Sequence, residues 1–177
     1  MKDYNKRAKE IVEKIQYITI ASVSKDGSPL NTPVFSAYDK DFNFYWGSHK
    51  DSHHSKNIRD TGRVSLVIYD STVRAGTGEG MYIKAKAVEL TDAGEIVYAH
   101  NLIQTRRYPV PYWKLEQVQG NAPIRLYKAI PEETWMNGDG EIKGNYIDIR
   151  VPIDLLKDNE LSSSRWFSLT PYLKNIY

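Results

Sequence analysis

The chain has 177 residues, long enough to bury a core as one domain over residues 1–177. Its 24 Lys and Arg residues nearly balance 22 Asp and Glu residues, so it lacks the basic excess expected of a nucleic-acid partner. The sequence has no cysteine, which excludes disulfides, thiolate nucleophiles and cysteine-ligated metals.

The N-terminal segment predicts an amphipathic helix over about residues 4–15. Ala8, Ile11, Val12 and Ile15 recur at helical spacing, with Lys and Glu on the opposite face. This segment is not an apolar signal core, and no later run approaches the ~20 apolar residues of a membrane span. We therefore expect a cytoplasmic protein with no membrane partner.

Runs rich in β-branched and aromatic residues, separated by turns, dominate the rest of the chain. The predicted strands are, in chain order, Tyr17–Val23, Leu30–Tyr38, Phe42–Gly47, Arg63–Tyr69, Met81–Leu90, Ile124–Ile130 and Tyr146–Val151. The first two are joined through Asp26-Gly27, a strong hairpin signal, and the last two by a turn at Asn137–Gly140. Such short strands predict a mainly β fold, a six- to seven-stranded antiparallel barrel of the Greek-key type.

Short helices are predicted at the periphery of this barrel. They cover Lys56–Asp60, a stretch from Thr91 to about Gln104, and Tyr112–Val118. An aromatic extension over about residues 152–177 is too aromatic for a simple disordered tail, and we expect it to pack on a neighbouring surface or a second subunit.

A polar segment between the third and fourth strands is the main candidate for binding. Ser48–Lys56 places hydroxyl, imidazole and lysine donors directly before a helix, which suits a phosphate-bearing ligand. His53-His54, with His49 four residues before His53, has a spacing that a metal could use, but no further His or Cys accompanies these three. The interpretation as a phosphate-binding segment is therefore favoured, and no metal site is predicted.

Two other motifs have simpler structural interpretations. Gly76-x-Gly78-x-Gly80 precedes a strand, whereas a dinucleotide fingerprint precedes a helix, so we predict a loop or bulge there. Arg106 and Arg107 could contact an anionic substrate, but a cation pair at a helix C-terminus is the favoured interpretation.

The order of these segments resembles the pyridoxamine 5′-phosphate oxidase-like FMN-binding split-barrel family. The resemblance covers about Ile15 to Leu90 and, more loosely, Ala129 to Ile149. The segments that carry it are Gly27-Ser28-Pro29, Thr32-Pro33-Val34-Phe35, Phe44-Tyr45-Trp46-Gly47, Ser55-Lys56-Asn57-Ile58-Arg59, Arg63-Val64-Ser65-Leu66-Val67 and Gly80–Ala87.

This resemblance implies a split barrel that forms a homodimer and binds FMN in a groove between the subunits. The matching residues are Thr32, Pro33 and Val34 beside the ring system, Trp46, Gly47, Ser48 and His49 at the hairpin end, and Ser55 and Lys56 at the phosphate. Lys56 offers a compact cation and Ser55 a hydroxyl donor, as a phosphate requires. A looser match at Ala129–Trp135 would place Trp135 near the flavin.

Two departures from the family's namesake point away from pyridoxine phosphate as the substrate. Asn31 stands where the namesake has an arginine motif, and Gly144–Ile149 replaces its Arg-Leu-His substrate motif. We therefore expect an FMN-dependent oxidoreductase acting on another small molecule. The alternatives are a non-catalytic flavin or heme binder and a deazaflavin-dependent reductase on the same fold.

Overall fold

An eight-stranded antiparallel sheet forms the body of residues 2–107, 109–110 and 113–157, the part of the chain that this computed structural model describes. The strands are β1 (Tyr17–Val23), β2 (Pro29–Phe35), β3 (Ala37–Tyr38), β4 (Phe44–His49), β5 (Arg63–Tyr69), β6 (Gly80–Glu89), β7 (Ile124–Ile142) and β8 (Asn145–Pro152). The helices are α1 (Tyr4–Lys14), α2 (His53–Thr61) and α3 (Ala93–Arg107), with a 3₁₀ turn at Leu115–Gln117. The predicted mainly β, antiparallel architecture is confirmed.

Several predicted boundaries were wrong. Helix α2 begins three residues before the predicted Lys56, and α3 continues three residues past the predicted Gln104 to Arg107, so both arginines lie in its last turn. In place of the predicted Tyr112–Val118 helix the structure has only the 3₁₀ turn, and Tyr112 lies outside the described residues. So does the predicted aromatic extension after residue 157.

The sheet rolls up because its two ends are consecutive in the chain. The strand order is β2-β1-β5-β6-β7-β4-β3, with β8 added to β7. The terminal strands β2 and β3 are separated only by Ser36, so the predicted single strand Leu30–Tyr38 is in fact two strands. One residue cannot span a flat seven-strand sheet at ~4.8 Å per strand, and the sheet must therefore curl into a split barrel.

The β7–β8 hairpin corrects a second prediction. Asn137–Gly140 is not a turn but lies within β7, paired with β8, and the chain reverses at Lys143-Gly144, which both have positive φ. Gly138 and Gly140 instead allow the side chains of β8 to pack closely against β7. A Cβ at Gly138 or Gly140 would lie 2.6 Å from a methyl group of a β8 side chain.

Two hydrophobic clusters hold the elements together. The first fills the barrel, and both α1 and α2 bury residues in it, among them Val12 and Ile58. The second lies between α3 and the outer side of β3 and β4, with Tyr45 and Ala99 as members. None of the helices in the described ranges combines the length and apolarity needed to cross a bilayer.

Candidate cofactor-binding site

A cluster of hydroxyl and imidazole groups lies where β4 leads into α2. The Ser52 Oγ donates to the Ser55 Oγ at 2.8 Å and lies 3.3 Å from the Ser48 Oγ. It is also 3.3 and 3.4 Å from the two ring nitrogens of His54. Ser48 and Ser52 are half-buried at the edge of this cluster, with His54 and Ser55 buried behind them. We call these four residues the hydroxyl–imidazole cluster.

The local sequence explains why this cluster forms at a helix start. Ser52 is the N-cap of α2 and has extended backbone dihedrals, but its side chain makes no capping hydrogen bond. Its hydroxyl is therefore shared among the cluster, and the first N–H groups of α2 lack a side-chain cap. Helix N-termini of this kind carry a partial positive charge that favours anions.

Burial controls the charge of the cluster. The pKa of His54 is lowered by desolvation of its imidazole and, to a smaller extent, by the neighbouring His53. His54 is consequently neutral at pH 7, when it offers one donor and one acceptor. An anion placed at Ser48 and Ser52 would act in the opposite direction, because a nearby negative charge favours the imidazolium.

A charged network lies behind the cluster and was not predicted from the sequence. The Glu89 carboxylate accepts from Arg59 at 2.8 Å and from the Tyr127 hydroxyl at 3.1 Å, and lies 3.4 Å from the Arg125 Nε. Burial is the main reason that the pKa of Tyr127 rises to about 12. Side chains from α2, β6 and β7 thus meet beneath the polar segment.

The predicted phosphate pair is only half supported by this geometry. Ser55 belongs to the cluster and is fully buried, whereas Lys56 is exposed on the other side of α2. His54 and Ser55 precede the core residue Ile58 by four and three positions, which places them on its face, and Lys56 precedes it by two. That spacing was the signal that could have identified His54 from the sequence.

The predicted hairpin-end residues divide between the core and the surface. Trp46 is fully buried, stacks on Tyr127 with ring centroids 5.7 Å apart, and faces the barrel interior. Gly47 lies beneath Trp113, whose Cζ3 would be 2.0 Å from a Cβ at that position. His49 is exposed, and its Nδ1 accepts from the Asp51 N–H at 3.1 Å. Only Ser48 of the four joins the cluster.

The predicted ring-contact residues lie on β2, beside both other elements of the site. Strand β2 contacts α2 and β4. Val34 points into the barrel core, whereas Pro33 lies on the outer face of the sheet and Thr32 is half-buried. Because successive strand residues face opposite sides, Val34 and Pro33 cannot both contact one ligand face.

Trp135 lies in the same outer row as Pro33 but far along it. The pairing register runs Pro33, Thr19, Val67, Tyr82, Trp135 across five strands. Four interstrand steps of ~4.8 Å place Trp135 about 19 Å from Pro33 along the sheet. Trp135 instead lines a groove of about 520 Å³ that contains none of the predicted cofactor-contact residues.

The remaining candidates have structural roles. The Arg106 guanidinium donates to the carbonyls of Val12 and Ile15 at 2.6 and 2.8 Å, which satisfies the end of α1, and lies 4.8 Å from the Tyr38 ring centroid. Within residues 2–107, 109–110 and 113–157, no group of three or more His, Cys, Asp or Glu side chains is arranged to hold a metal. The glycine motif at residues 76–80 is a loop that leads into β6, as predicted.

Comparisons with known proteins agree with the fold described above. The sequence profile of pyridoxamine 5′-phosphate oxidase matches residues 4–138. No curated protein matches the sequence.

Three solved structures illustrate the structural similarity. A protein of Bacteroides thetaiotaomicron, proposed to confer 5-nitroimidazole antibiotic resistance, is 14% identical with a TM-score of 0.62, over 77% of this chain and 84% of that one. HutZ, the heme storage protein of Vibrio cholerae, is 14% identical with a TM-score of 0.61, over 74% and 92%. A proposed pyridoxamine 5′-phosphate oxidase of Listeria innocua is 17% identical with a TM-score of 0.57, over 75% and 96%. Identities this low establish similarity of fold alone.

Proposed function

The chain belongs to the pyridoxamine 5′-phosphate oxidase family, and on that premise we propose that it binds FMN and acts as an FMN-dependent oxidoreductase on a small molecule. The observation that carries the proposal is the hydroxyl–imidazole cluster at the start of α2. The family match identifies a protein type that commonly holds a flavin, and the cluster supplies donors suited to the flavin's phosphate.

The donor set fits a phosphate. Ser48 and Ser52 present hydroxyls at the half-buried edge, and the α2 N-terminus adds backbone N–H groups. His54 supplies an imidazole that can become cationic beside an anion. In this proposal Ser52 and His54 take the place that the resemblance gave to Lys56.

The ring system of the flavin would lie toward β2, the neighbour of both α2 and β4. Pro33 is exposed on the outer face of that strand, whereas Thr32 and Val34 face the other side. Val34 and Trp46 belong to the core and support the site from behind. When bound, the flavin itself supplies the electron or hydride transfer. The residues of this chain bind and orient it, and none is needed as a general acid or base.

We further infer a homodimer in which the outer sheet face is the interface. Tyr17, Tyr69 and Val88 lie on this face and are about half exposed, at 59%, 51% and 47%. The helices of the described residues bury their apolar faces elsewhere, in the barrel or against β3 and β4. Because Trp135 is distant from Pro33 within one chain, it would approach a flavin only across such an interface. Light scattering of the purified protein should give twice the chain mass, and a monomer that still binds FMN would contradict this inference.

Heme is the second candidate ligand, since HutZ, which has a similar fold, is a heme storage protein. His49 and His53 are exposed beside the site and could each offer an imidazole to iron. A deazaflavin is the third candidate, because it would use the same phosphate donors.

An absorbance spectrum of the purified full-length chain, with the released ligand identified by mass, separates these candidates. Flavin bands, an FMN mass and bleaching by a nicotinamide donor support the proposal. A Soret band favours heme, and a colourless protein that takes up a deazaflavin but not FMN favours the third candidate. Ser52→Ala should weaken FMN binding, whereas Ser71→Ala, at an exposed loop serine, should leave it unchanged.

A further inference from the structure

Arg59 connects the second half of α2 to the polar segment that precedes the same helix. Its Nη1 donates to the Glu89 carboxylate at 2.8 Å, and its Nη2 donates to the Lys50 carbonyl at 2.6 Å. The guanidinium therefore joins a fixed carboxylate on β6 to the backbone two residues before the Ser52 cap. Only a planar, forked cation can make both contacts at once.

Glu89 is itself held from several directions. The Tyr127 hydroxyl and the Arg125 Nε both contact its carboxylate, at 3.1 and 3.4 Å. Arg125 also donates to backbone carbonyls of Ile124 and Gly120, at 2.9 and 2.8 Å. The Glu89 carboxylate to which Arg59 donates is thus held by residues of β6 and β7, and not by the turn from Lys50 to Ser52.

The turn from Lys50 to Ser52 also makes a direct hydrogen bond to the residue before β7. The Lys50 N–H donates to the Pro123 carbonyl at 2.8 Å, just before β7 begins. With Arg59 bound to its carbonyl oxygen, both polar groups of the Lys50 backbone are engaged. Within the turn itself, the Ser52 N–H donates to the His49 carbonyl at 3.0 Å. The two Lys50 contacts fix this turn to its surroundings, and so help to set the positions of the Ser48 and Ser52 hydroxyls relative to His54.

We propose that Arg59 is a positioning residue that sets the geometry of the hydroxyl–imidazole cluster. It thereby sets the preference of this chain for a phosphorylated flavin over an unphosphorylated one. This inference rests on the proposed function. Arg59 does not contact the ligand in this arrangement. It acts through the Lys50 carbonyl, so the requirement is for its fork and not only for its charge.

The test compares the affinities of FMN and riboflavin for the wild-type chain and for Arg59→Lys. Lysine keeps the charge but cannot bridge Glu89 and the Lys50 carbonyl together. The ratio of FMN to riboflavin affinity should fall about tenfold, the lower end of the loss seen when an outer-shell partner of a metal ligand is removed. Riboflavin affinity should change by less than about twofold. Arg74→Lys, at an exposed position in the loop before β6, is the matched control and should leave the ratio unchanged.

The possible outcomes are separable. An unchanged ratio in Arg59→Lys, or an equal loss for both ligands, overturns the positioning role but not the proposal that the wild-type chain binds FMN. A wild-type chain that fails to distinguish FMN from riboflavin overturns the proposed phosphate site itself, and the role of Arg59 with it. Arg59→Gln, which removes the charge as well, provides a second variant and should lower the ratio at least as far.

Discussion

Replacing His54 should remove a pH dependence from FMN binding. The pKa of His54 is lowered in the free protein by burial of its ring, and next by His53, so the imidazole is neutral at pH 7. A phosphate dianion beside Ser52 favours the imidazolium, and binding then takes up a proton. By linkage, FMN affinity rises as pH falls, by at most about tenfold per pH unit for one proton.

The ligand titrates as well, and its contribution must be separated. The second pKa of a phosphate monoester is about 6, so FMN loses one negative charge as the pH falls through this value. Riboflavin lacks this group, and His54→Gln lacks the imidazole. Fluorescence titrations from pH 5.5 to 8 should therefore be run with both ligands on the wild type, His54→Gln and the matched control His53→Gln.

We expect the FMN to riboflavin affinity ratio of His54→Gln to fall below that of the wild type by about tenfold near pH 6, with the difference shrinking toward pH 8. The His53→Gln control should follow the wild type, apart from a small shift as one neighbouring charge is lost. A ratio that differs by the same factor at every pH would show that His54 acts only as a neutral hydrogen-bonding group. That result would refute the proton-uptake reasoning.

The ligand-free protein should show the opposite trend in stability. Because the folded-state pKa of His54 lies below its unfolded value of ~6.5, the unfolded chain binds more protons between these two values. This contribution to the free energy of unfolding is present above pH ~6.5 and is lost as pH falls toward the folded pKa. Urea unfolding at pH 5, 6 and 7.5 should show a loss in the wild type that His54→Gln does not share.

Four substitutions test the assignment of the neighbouring residues. Ser52→Ala should weaken FMN binding about tenfold, as expected when a hydrogen bond to a charged group is lost, whereas Lys56→Ala should change it less than about twofold in the same titration. Gly47→Ala should lower the free energy of unfolding by about 1–3 kcal/mol, since its Cβ would lie 2.0 Å from Trp113 Cζ3; an unchanged urea midpoint would argue against that packing. Arg106→Met should cost about 2–3 kcal/mol because two carbonyls at the end of α1 lose a charged donor, with FMN affinity unaltered; lost affinity at full stability would instead support substrate recognition.

Local patterns were sufficient to predict most of the sheet. The alternation of Ile18, Ile20 and Ser22 along β1 is the burial pattern that the structure shows, and Asp26-Gly27 forms the expected turn, with Gly27 at φ +86°. The same rule failed at Gly138 and Gly140, because glycine also occurs where another strand approaches closely. Single-sequence patterns do not distinguish these two causes.

The candidate site was predicted as a segment but not as a set of side chains. Hydroxyls, imidazoles and a lysine before a helix indicated a phosphate, and the aromatic run Phe44-Tyr45-Trp46 indicated a strand. Which residues face the ligand depends on where the helix begins and on which side of β4 is the barrel interior. An early start at His53 turns His54 toward the core, and the interior orientation of Trp46 removes it from the surface.

The support beneath the site could not be predicted, because its parts are distant in the chain. Arg59, Glu89 and Tyr127 lie 30 and 38 residues apart along the sequence and meet only because β6 and β7 pair below α2. Nothing in the local pattern of a helical arginine distinguishes a solvated side chain from one that bonds a loop carbonyl. If Arg59 governs phosphate preference as inferred, the specificity of this site depends on long-range pairing, while its donors come from one short segment.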